Sequence, residues 1–337
     1  MPNLDPKDQR LLTLAQTEFP LCARPWAALG EKLGEDEDAI IQRLLRLSRL
    51  RILRQISAIF DSRALGYQSA LVAAEASPDC LETAAAIVSA HPGVSHNYQR
   101  ENALNLWFTL AVPPGRNLEA EAGRLAANAG LTRHWVLPAL KTFRIGVAFD
   151  LEAGGVRALS PTENAPSKGP GSLDRADRAA VRILQENLPL LPRPFLQPAR
   201  WLHLSETELF TWMAEARSRG LLRRFAAVLR HREAGFGEGG MGVWAVPLDR
   251  VEAVGQAFAA NPAVTHCYQR PVFEGWPYNL FTMVHGQKRE DCAEILESLA
   301  ASVRGWTRRS TLFSLREFKK ERLRYFLEDP VLEGAAC

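Results

Sequence analysis

Two similar stretches of the chain carry a histidine, a tyrosine and an arginine at alternate positions. They read VSHNYQR at residues 94–100 and VTHCYQR at residues 264–270. The residues concerned are His96, Tyr98 and Arg100 in the first stretch and His266, Tyr268 and Arg270 in the second. Side chains at alternate positions of a β-strand share one face of the sheet. The pattern therefore predicts, in each half, a proton donor and a carboxylate-binding guanidinium beside a hydrogen-bonding ring.

The segments around these stretches also correspond. Each stretch follows a short helical run that ends at a proline, Pro92 or Pro262. Each precedes an Asn-Leu-aromatic strand, Asn105–Thr109 in the first half and Asn279–Thr282 in the second. The two copies lie 170 residues apart, about half the length of the chain, which indicates a tandem duplication.

Each half is predicted to begin as a winged helix-turn-helix. Asp5 and Pro6 form a favourable helix start, and apolar residues at helical spacing from Asp36 to Leu50 predict the third of three short helices. Ile52–Phe60 is predicted to be extended. Three short helices with a small strand pair match the winged motif.

The rest of each half is predicted to be a ferredoxin-like βαββαβ domain. In the first half the strands are Ala70–Ala74, Val94–Arg100, Leu104–Val112 and Lys141–Phe149, and the helices are Pro78–Ala90 and Asn117–Ala129. The fold class is thus α+β, a tandem duplication of a winged helix-turn-helix plus a ferredoxin-like domain. A sheet covered by helices on one face leaves its other face bare. We therefore expect the two sheets to pair face to face or edge to edge, as an internal pseudo-dimer.

The domain boundaries follow from the repeat and from a segment rich in glycine and proline. The predicted domains are 1–62 and 173–234 for the winged helices and 63–150 and 235–330 for the ferredoxin-like domains, with a linker at 151–172. Composition adds few constraints, because a net charge of +3 gives no reason to expect nucleic acid. The five cysteines lack metal-site spacing, which favours reduced thiols in a cytoplasmic protein. We expect no membrane span, since no apolar run approaches the ~18 residues it needs.

The third helix of each half is a poor candidate for DNA recognition. Its first turn holds Glu35, Asp36, Glu37 and Asp38 in the first half, and the second half has Glu206 and Glu208 there. DNA affinity comes largely from Lys and Arg that neutralise phosphates, whereas these carboxylates would repel them. We therefore expect no DNA partner.

The chain resembles the siroheme decarboxylases, a family built on the Lrp/AsnC regulator architecture. The resemblance is carried by the repeated winged-helix and ferredoxin-like domains, by the doubled His-x-Tyr-x-Arg motif and by the run WPYNLF at residues 276–281. The resemblance implies conversion of siroheme to 12,18-didecarboxysiroheme by loss of two acetate carboxyls as CO2, on the way to heme d1 or, by another route, protoheme. It also implies that His96 and His266 are the essential histidines. No metal or organic cofactor is expected, because the tetrapyrrole substrate brings its own iron.

That reaction assigns roles to the candidate residues. A histidine would protonate the CH2 that remains after CO2 leaves, and arginines would hold the carboxylates that stay on the ring. The catalytic candidates are His96 and His266, and the substrate-binding candidates are Arg100, Arg270, Tyr98, Tyr268, Arg54 and Arg223. Arg54 and Arg223 are included because the wing strand of this architecture can overhang the neighbouring domain. The halves differ at three pairs of equivalent positions: Asn97 and Cys267, Glu101 and Pro271, and Gln55 and Arg224. One half could therefore bind the substrate while the other supports it.

Alternatives stay open for residues and for function. The histidines could be hydrogen-bonded strand residues or ligands to the substrate iron, and the arginines could form surface salt bridges. The alternative functions are a non-enzymatic heme or tetrapyrrole sensor and an Lrp/AsnC-type transcriptional regulator. The sequence also leaves homodimerisation of the fused chain open.

Overall fold

The computed structural model describes residues 4–145, 148–150, 155–157, 172–230, 238–286 and 288–327. These residues form two compact units. The winged-helix unit comprises the described residues within 1–66, 148–235 and 324–337, and the sheet unit comprises those within 67–147 and 236–323. Each unit therefore takes one part from each half of the sequence.

Helices and strands are numbered in chain order. The winged-helix unit contains α1 (Pro6–Thr17), α2 (Pro25–Leu33), α3 (Glu37–Arg49), β1 (Leu53–Phe60), β7 (Ala148–Asp150), β8 (Gly155–Arg157), α6 (Arg175–Leu184), α7 (Leu196–Trp201), α8 (Glu206–Ser218) and β9 (Leu222–Leu229). The sheet unit contains β2 (Gln68–Glu75), a 3-10 turn (Pro78–Cys80), α4 (Leu81–Ala90), β3 (Val94–Arg100), β4 (Leu106–Val112), α5 (Leu118–Asn128), β5 (Arg133–Pro138), β6 (Lys141–Ile145), β10 (Glu238–Ala245), α9 (Val251–Ala260), β11 (Val264–Gln269), β12 (Leu280–Gly286), α10 (Arg289–Ser302) and β13 (Arg308–Lys320). The α+β duplication is confirmed.

Polar caps fix where the helices of the winged-helix unit begin. The Asp5 carboxylate accepts from a backbone N–H of the first turn of α1, and Asp36 and Asp174 do the same for α3 and α6. Ser205 and Glu208 form a reciprocal capping box at the start of α8. Each cap satisfies an amide that the helix itself leaves without a partner, so the helices start where the sequence places these residues.

The two halves share one strand pair in this unit. Strand β1 pairs antiparallel with β9, with Ser57 opposite Ala226. The indole Nε1 of Trp26 in α2 also donates to the carbonyl of Leu191, in the other half, at 2.7 Å. The predicted strand pair therefore exists, but it joins the halves and is not a separate wing within each.

Two arginines of α3 are bound to carboxylates at the start of α1. Arg43 donates to Asp5 at 2.8 Å and to Asp8 at 3.0 Å, and Arg46 also pairs with Asp8. Asp8 is fully buried. A buried carboxylate needs such partners, so these cations stabilise the packing of α1 on α3.

All strands of the sheet unit belong to one nine-stranded sheet. Its order is β5-β2-β4-β3-β13-β10-β12-β11-β6, and every neighbouring pair is antiparallel. The four strands from β5 to β3 form the sheet of the first half, and those from β13 to β11 form the sheet of the second. The halves thus pair edge to edge. The two end strands of the series, β5 and β6, are consecutive in the chain and are joined by the short connection between Pro138 and Lys141.

The predicted final strand at Lys141–Phe149 is a strand over Lys141–Ile145, and residues 146–147 lie outside the described residues, but the prediction that it completes the first-half sheet was wrong. The strand that completes the first-half sheet is β5, which pairs with β2. The following strand, β6, pairs instead with β11 of the second half. In the second half one long strand does both tasks, since β13 pairs with β10 up to Phe313 and with β3 from Ser314 onward. The last strand of each half therefore completes its own sheet and then extends the sheet of the other half.

The described residues of the sheet unit include three apolar clusters. Helices α4 and α5 cover the outer face of the first sheet, and α9 and α10 cover that of the second. The third cluster lies on the inner faces and draws residues from both halves, including Trp107, Leu137, Trp276, Phe281 and Leu312. The expected cover of helices on one face of each sheet is confirmed, and the bare faces are buried against each other.

Most of the predicted linker at 151–172 lies outside the described residues. The other domain boundaries stay predictions, since the two compact units group the chain in a different way. Within the described part of the chain, no helix combines the length and apolar character that a membrane crossing requires.

Candidate active site on the inner faces of the sheets

The His-Tyr-Arg triplets lie on the inner faces, as the strand alternation predicts. On β3 the rings of His96 and Tyr98 stack with centroids 6.2 Å apart, and Arg100 lies 5.6 Å from the centroid of the Tyr98 ring. In strand β11, and just beyond it, the same three residue types repeat the arrangement. His266 and Tyr268 have ring centroids 6.0 Å apart, and Arg270 lies 4.9 Å from the Tyr268 ring. Each half thus brings an imidazole, a phenol and a guanidinium into one row.

The residue between histidine and tyrosine points to the outer face. Asn97 is buried and donates to the carbonyl of Ala85 in α4 at 3.1 Å. Its counterpart Cys267 contacts the carbonyl of Gly255 in α9 at 3.6 Å, and burial raises the pKa of its thiol to about 12. The Asn97/Cys267 difference therefore changes how the strand packs on its helix and not the inner face.

The two arginines are anchored in the same way. Arg100 donates through Nη1 to the carbonyl of Leu312 at 2.8 Å, and Arg270 donates through Nη1 to the carbonyl of Leu137. Leu312 belongs to the second half and Leu137 to the first, so each arginine binds the backbone of the opposite half. The two guanidinium groups are therefore held by the backbones of β13 and β5, each a strand of the opposite half.

Arg100 is a buried cation. It is 5% exposed, and burial lowers its pKa to about 10. Within the described part of the chain, its Nε has no hydrogen-bond partner and no carboxylate forms a salt bridge with it. Desolvating a guanidinium without a counter-charge is costly, and an anionic ligand would remove that cost. The site is thus suited to a carboxylate.

His266 is neutral in the protein alone. Burial of the ring lowers its pKa to about 4, and three cations nearby add to the effect: Lys320, Arg270 and Arg144. Both mechanisms disfavour the imidazolium, the first by loss of solvation and the second by like-charge repulsion. A group this far from its ordinary pKa of about 6.5, in a row of functional side chains, is typical of a reactive site.

The neighbouring hydroxyl defines the tautomer of His266. Thr265 donates its single hydroxyl hydrogen to the carbonyl of Met283 at 3.0 Å. The same oxygen lies 3.0 Å from Nδ1 of His266, so it accepts a hydrogen that Nδ1 carries. Nε2 therefore holds the lone pair in the neutral ring and is the atom that takes up and releases a proton. In the first half, Ser95 Oγ lies 2.9 Å from Nδ1 of His96.

Arg54 and Arg223 lie on β1 and β9 of the winged-helix unit. Arg223 donates to Asp61 from Nε at 3.0 Å and from Nη2 at 2.6 Å. Asp61 is 2% exposed, so Arg223 supplies the counter-charge of a buried carboxylate. Substrate binding by Arg54 and Arg223 stays a prediction.

Sequence reasoning missed Lys320 and Arg144. Lys320 lies at the end of β13, directly opposite His96 on β3. Arg144 donates to the carbonyl of Ala259 at 2.7 Å, and both cations affect His266. The last strands of the two halves can be aligned through Lys141 and Arg316, and extending that alignment would have paired Ile145 with Lys320. Their neighbours across the sheet, however, come from the other half and are not visible in the sequence.

The described residues include no group of three or more histidine, cysteine, aspartate or glutamate side chains that could hold a metal ion. The expectation that the protein supplies no metal or organic cofactor stays a prediction.

Family models match both kinds of domain in both halves. The AsnC-like ligand binding domain matches residues 64–144 and 233–319. The siroheme decarboxylase NirDL-like HTH domain matches residues 8–54 and 177–223. Together these matches cover most of the chain, and the repeat seen in the sequence is present in them.

Full-length relatives carry the same description. A siroheme decarboxylase from Hydrogenobacter thermophilus is 39% identical over 321 residues, which is 95% of each chain. The crystal structure of the siroheme decarboxylase NirDL superposes with a TM-score of 0.74 at 35% identity, covering 96% of this chain and 95% of that one. A second crystal structure of NirDL, in complex with an iron-uroporphyrin III analogue, superposes over the same shares with a TM-score of 0.73 at 35% identity. The chain therefore belongs to the siroheme decarboxylase family, in the form that fuses both halves into one polypeptide.

Proposed function

We propose that this protein is a carboxy-lyase that converts siroheme to 12,18-didecarboxysiroheme, releasing two acetate carboxyls as CO2. Family membership supports the proposal, and one observation carries it: two rows of histidine, tyrosine and arginine on the inner faces of the paired sheets. The pathway is a cytoplasmic one that leads to heme d1 or to another heme.

The reaction at each acetate requires one proton from the protein. The bond between the carboxyl carbon and the CH2 breaks, CO2 leaves, and the electron pair stays on the CH2, where the conjugated macrocycle delocalises it. A proton delivered to that carbon completes the methyl group. The iron arrives with the substrate, so we assign no metal or cofactor of its own to the protein.

Arginine and tyrosine would position the macrocycle. Arg100 and Arg270 offer bidentate donors to carboxylates that remain on the ring. Each guanidinium is already bound at Nη1 to a backbone carbonyl, which limits the entropy lost when a carboxylate binds. Tyr98 and Tyr268 lie between histidine and arginine in each row and would orient the reacting acetate by hydrogen bonding.

His96 and His266 would supply the proton. Nε2 of His266 holds a lone pair while the pKa is about 4, so the free protein cannot donate from this atom near neutral pH. A ligand rich in carboxylates brings negative charge close to the imidazole and offsets Lys320 and Arg270. Its binding would therefore raise the pKa and load Nε2 with a proton only when substrate is present.

The alternative functions receive less support. A tetrapyrrole sensor would bind the same ligand without loss of CO2. A transcriptional regulator would need a cationic recognition helix, whereas Arg43 and Arg46 of α3 are bound to carboxylates at the start of α1. We propose no DNA partner. In the internal pseudo-dimer the two halves pair with each other, as two separate subunits of half this length would have to do.

Anaerobic incubation of the protein with reduced siroheme, followed by mass spectrometry of the tetrapyrrole, tests the function. We expect a product that has lost two CO2, preceded by a species that has lost one. Stable binding with no change of mass would identify a sensor. A shift of promoter DNA at physiological salt would instead identify a regulator, and size-exclusion chromatography with light scattering would settle whether the fused chain dimerises.

A further inference from the structure

The two half-sites differ by one charge at equivalent positions. Lys320 is opposite His96 in the pairing of β13 with β3. Ile145 is opposite His266 in the pairing of β6 with β11. Both are the final residues of the strand that extends the sheet of the other half. The duplication therefore places a cation beside one histidine and an aliphatic side chain beside the other.

The backbone of Lys320 is fixed on both sides. Lys319 is opposite Asn97, and the amide of Glu321 donates to the carbonyl of Ser95 at 2.7 Å. Lys319 points to the outer face, where its Nζ donates to the carbonyl of Ser89 at 2.7 Å. Alternation then directs Lys320 to the inner face, the face of His96. Directly opposite side chains on a sheet have Cβ atoms about 5 Å apart, so this lysine lies within reach of any ligand that touches His96.

The charge of Lys320 also lowers the pKa of the other histidine, His266. Of the three cations that lower the pKa of His266, Lys320 has the largest effect, ahead of Arg270 and Arg144. Arg144 is directed to the outer face, because it donates to the carbonyls of Ala259 and Asn261. Lys320 therefore lies opposite one histidine in the sheet, and its charge also disfavours the protonated form of the second.

We propose that Lys320 binds a carboxylate of the tetrapyrrole and thereby fixes which of two pseudo-symmetric orientations the substrate takes. The inference rests on the proposed function and adds the order in which the two acetates are decarboxylated. With histidine, tyrosine and arginine present in both halves, a macrocycle rimmed by carboxylates could bind in either of two orientations related by the internal symmetry. A single ammonium that has no counterpart in the other half favours the orientation that presents a carboxylate to it. One acetate is then always lost first.

The test compares four variants with the parent. Lys320→Ile makes the half-sites alike at this position, Lys320→Arg keeps the cation, and Lys320→Ile combined with Ile145→Lys moves the cation to the other half. Lys141→Ile is the matched control, since Lys141 is an exposed lysine of β6 that pairs with Glu252. Circular dichroism and thermal melting establish that each variant is folded.

The first readout is the identity of the intermediate. Quenched single-turnover reactions, separated by chromatography and identified by mass and NMR, should give one monodecarboxylated isomer for the parent, the control and Lys320→Arg. Lys320→Ile should give both isomers in comparable amounts, and the double variant should favour the opposite isomer. An unchanged isomer ratio in Lys320→Ile would overturn the proposal.

The second readout does not depend on turnover. Absorbance titration with an iron uroporphyrin should show roughly 10- to 100-fold weaker binding by Lys320→Ile, the usual loss for one charge-assisted contact, with little change in the control. If the parent binds but never releases CO2, the proposed function fails while the affinity comparison still decides whether Lys320 contacts the ligand. Equal affinity in the parent and in Lys320→Ile would remove Lys320 from the site.

Discussion

Nη1 of Arg100 donates to the carbonyl of Leu312 at 2.8 Å, across the seam where the two halves pair. This contact orients a guanidinium that is 5% exposed and that lacks a salt bridge within the described residues. The neutral carbonyl holds the side chain without cancelling its charge. The structure therefore keeps a buried cation available to an anionic ligand, at the expense of the stability of the free protein.

Replacing Arg100 by methionine should separate binding from stability. Methionine keeps much of the volume and removes a charge that is buried without a counter-ion, so the desolvation cost of that charge disappears. We expect a melting temperature equal to or above that of the parent, together with siroheme affinity reduced roughly 10- to 100-fold. Differential scanning calorimetry and absorbance titration measure the two effects. Loss of stability with unchanged affinity would mean that Arg100 has a structural role.

Arg223→Met should have the opposite effect on stability. It removes the guanidinium that pairs with Asp61, which is 2% exposed, and leaves that buried carboxylate with the amides of Arg63 and Ala64 as hydrogen-bond donors but without this counter-charge. Because the Arg223 side chain is itself 25% exposed, we expect a loss of about 2–3 kcal/mol, below the full cost for a completely buried pair. Urea unfolding measures it. The double variant with Asp61→Asn should recover part of the loss, and a parent-like midpoint in Arg223→Met would contradict this account.

Acid should destabilise the protein partly through His266. Its folded-state pKa is about 4, below the unfolded value of about 6.5. Between these values the unfolded chain binds a proton that the folded chain does not, so stability falls as pH decreases from about 6.5 to 4 and is unaffected above that window. His266→Gln should flatten this part of the profile. NMR titration of the ring should also show the pKa rising when an iron uroporphyrin is added, and an unchanged value in the complex would contradict the proposed loading of Nε2.

His96→Ala and His266→Ala should each reduce turnover by roughly 10²–10⁴, the usual contribution of a positioned acid, with folding and much of the binding preserved. The control is His91→Asn. His91 Nδ1 accepts from the amide of Gly93 at 3.0 Å, and Asn261 accepts from the amide of Ala263 at the matching position of the second half. Asparagine at 91 should therefore keep the turn and the activity.

The products of the two alanine variants carry further information. If each variant stops at a different monodecarboxylated species, each half acts on one acetate. If neither gives product, both histidines serve one reaction centre. Complete double decarboxylation by either variant would assign that histidine a structural role and leave the chemistry to the other half.

Local patterns in the sequence predict much of this arrangement. Alternation along β3 and β11 places histidine, tyrosine and arginine on one face whatever the tertiary fold, and the rows are found there. The helix starts at Asp5 and Asp36 are equally local. These features depend only on backbone geometry and nearest neighbours along the chain.

Features that depend on strand partners were less predictable. The split of β5 from β6 follows from which strand each segment meets, and β6 meets a strand of the other half. The position of Lys320 beside His96 and the low pKa of His266 arise in the same way, from residues on strands far apart in sequence. The difference between Asn97 and Cys267 looked like a divergence of the half-sites, yet both residues face helices.

The reciprocal extension of β6 and β13 also determines which halves can associate. Each half offers an acceptor strand and a donor strand, so two copies of the same half could in principle exchange them with each other. Joining unlike halves in one polypeptide fixes their stoichiometry at one to one and gives the unlike pair a high effective concentration at any expression level. A strand that carries Lys320 therefore meets the strand that carries His96 by virtue of connectivity, and the halves are able to diverge in charge without competing assemblies of like with like.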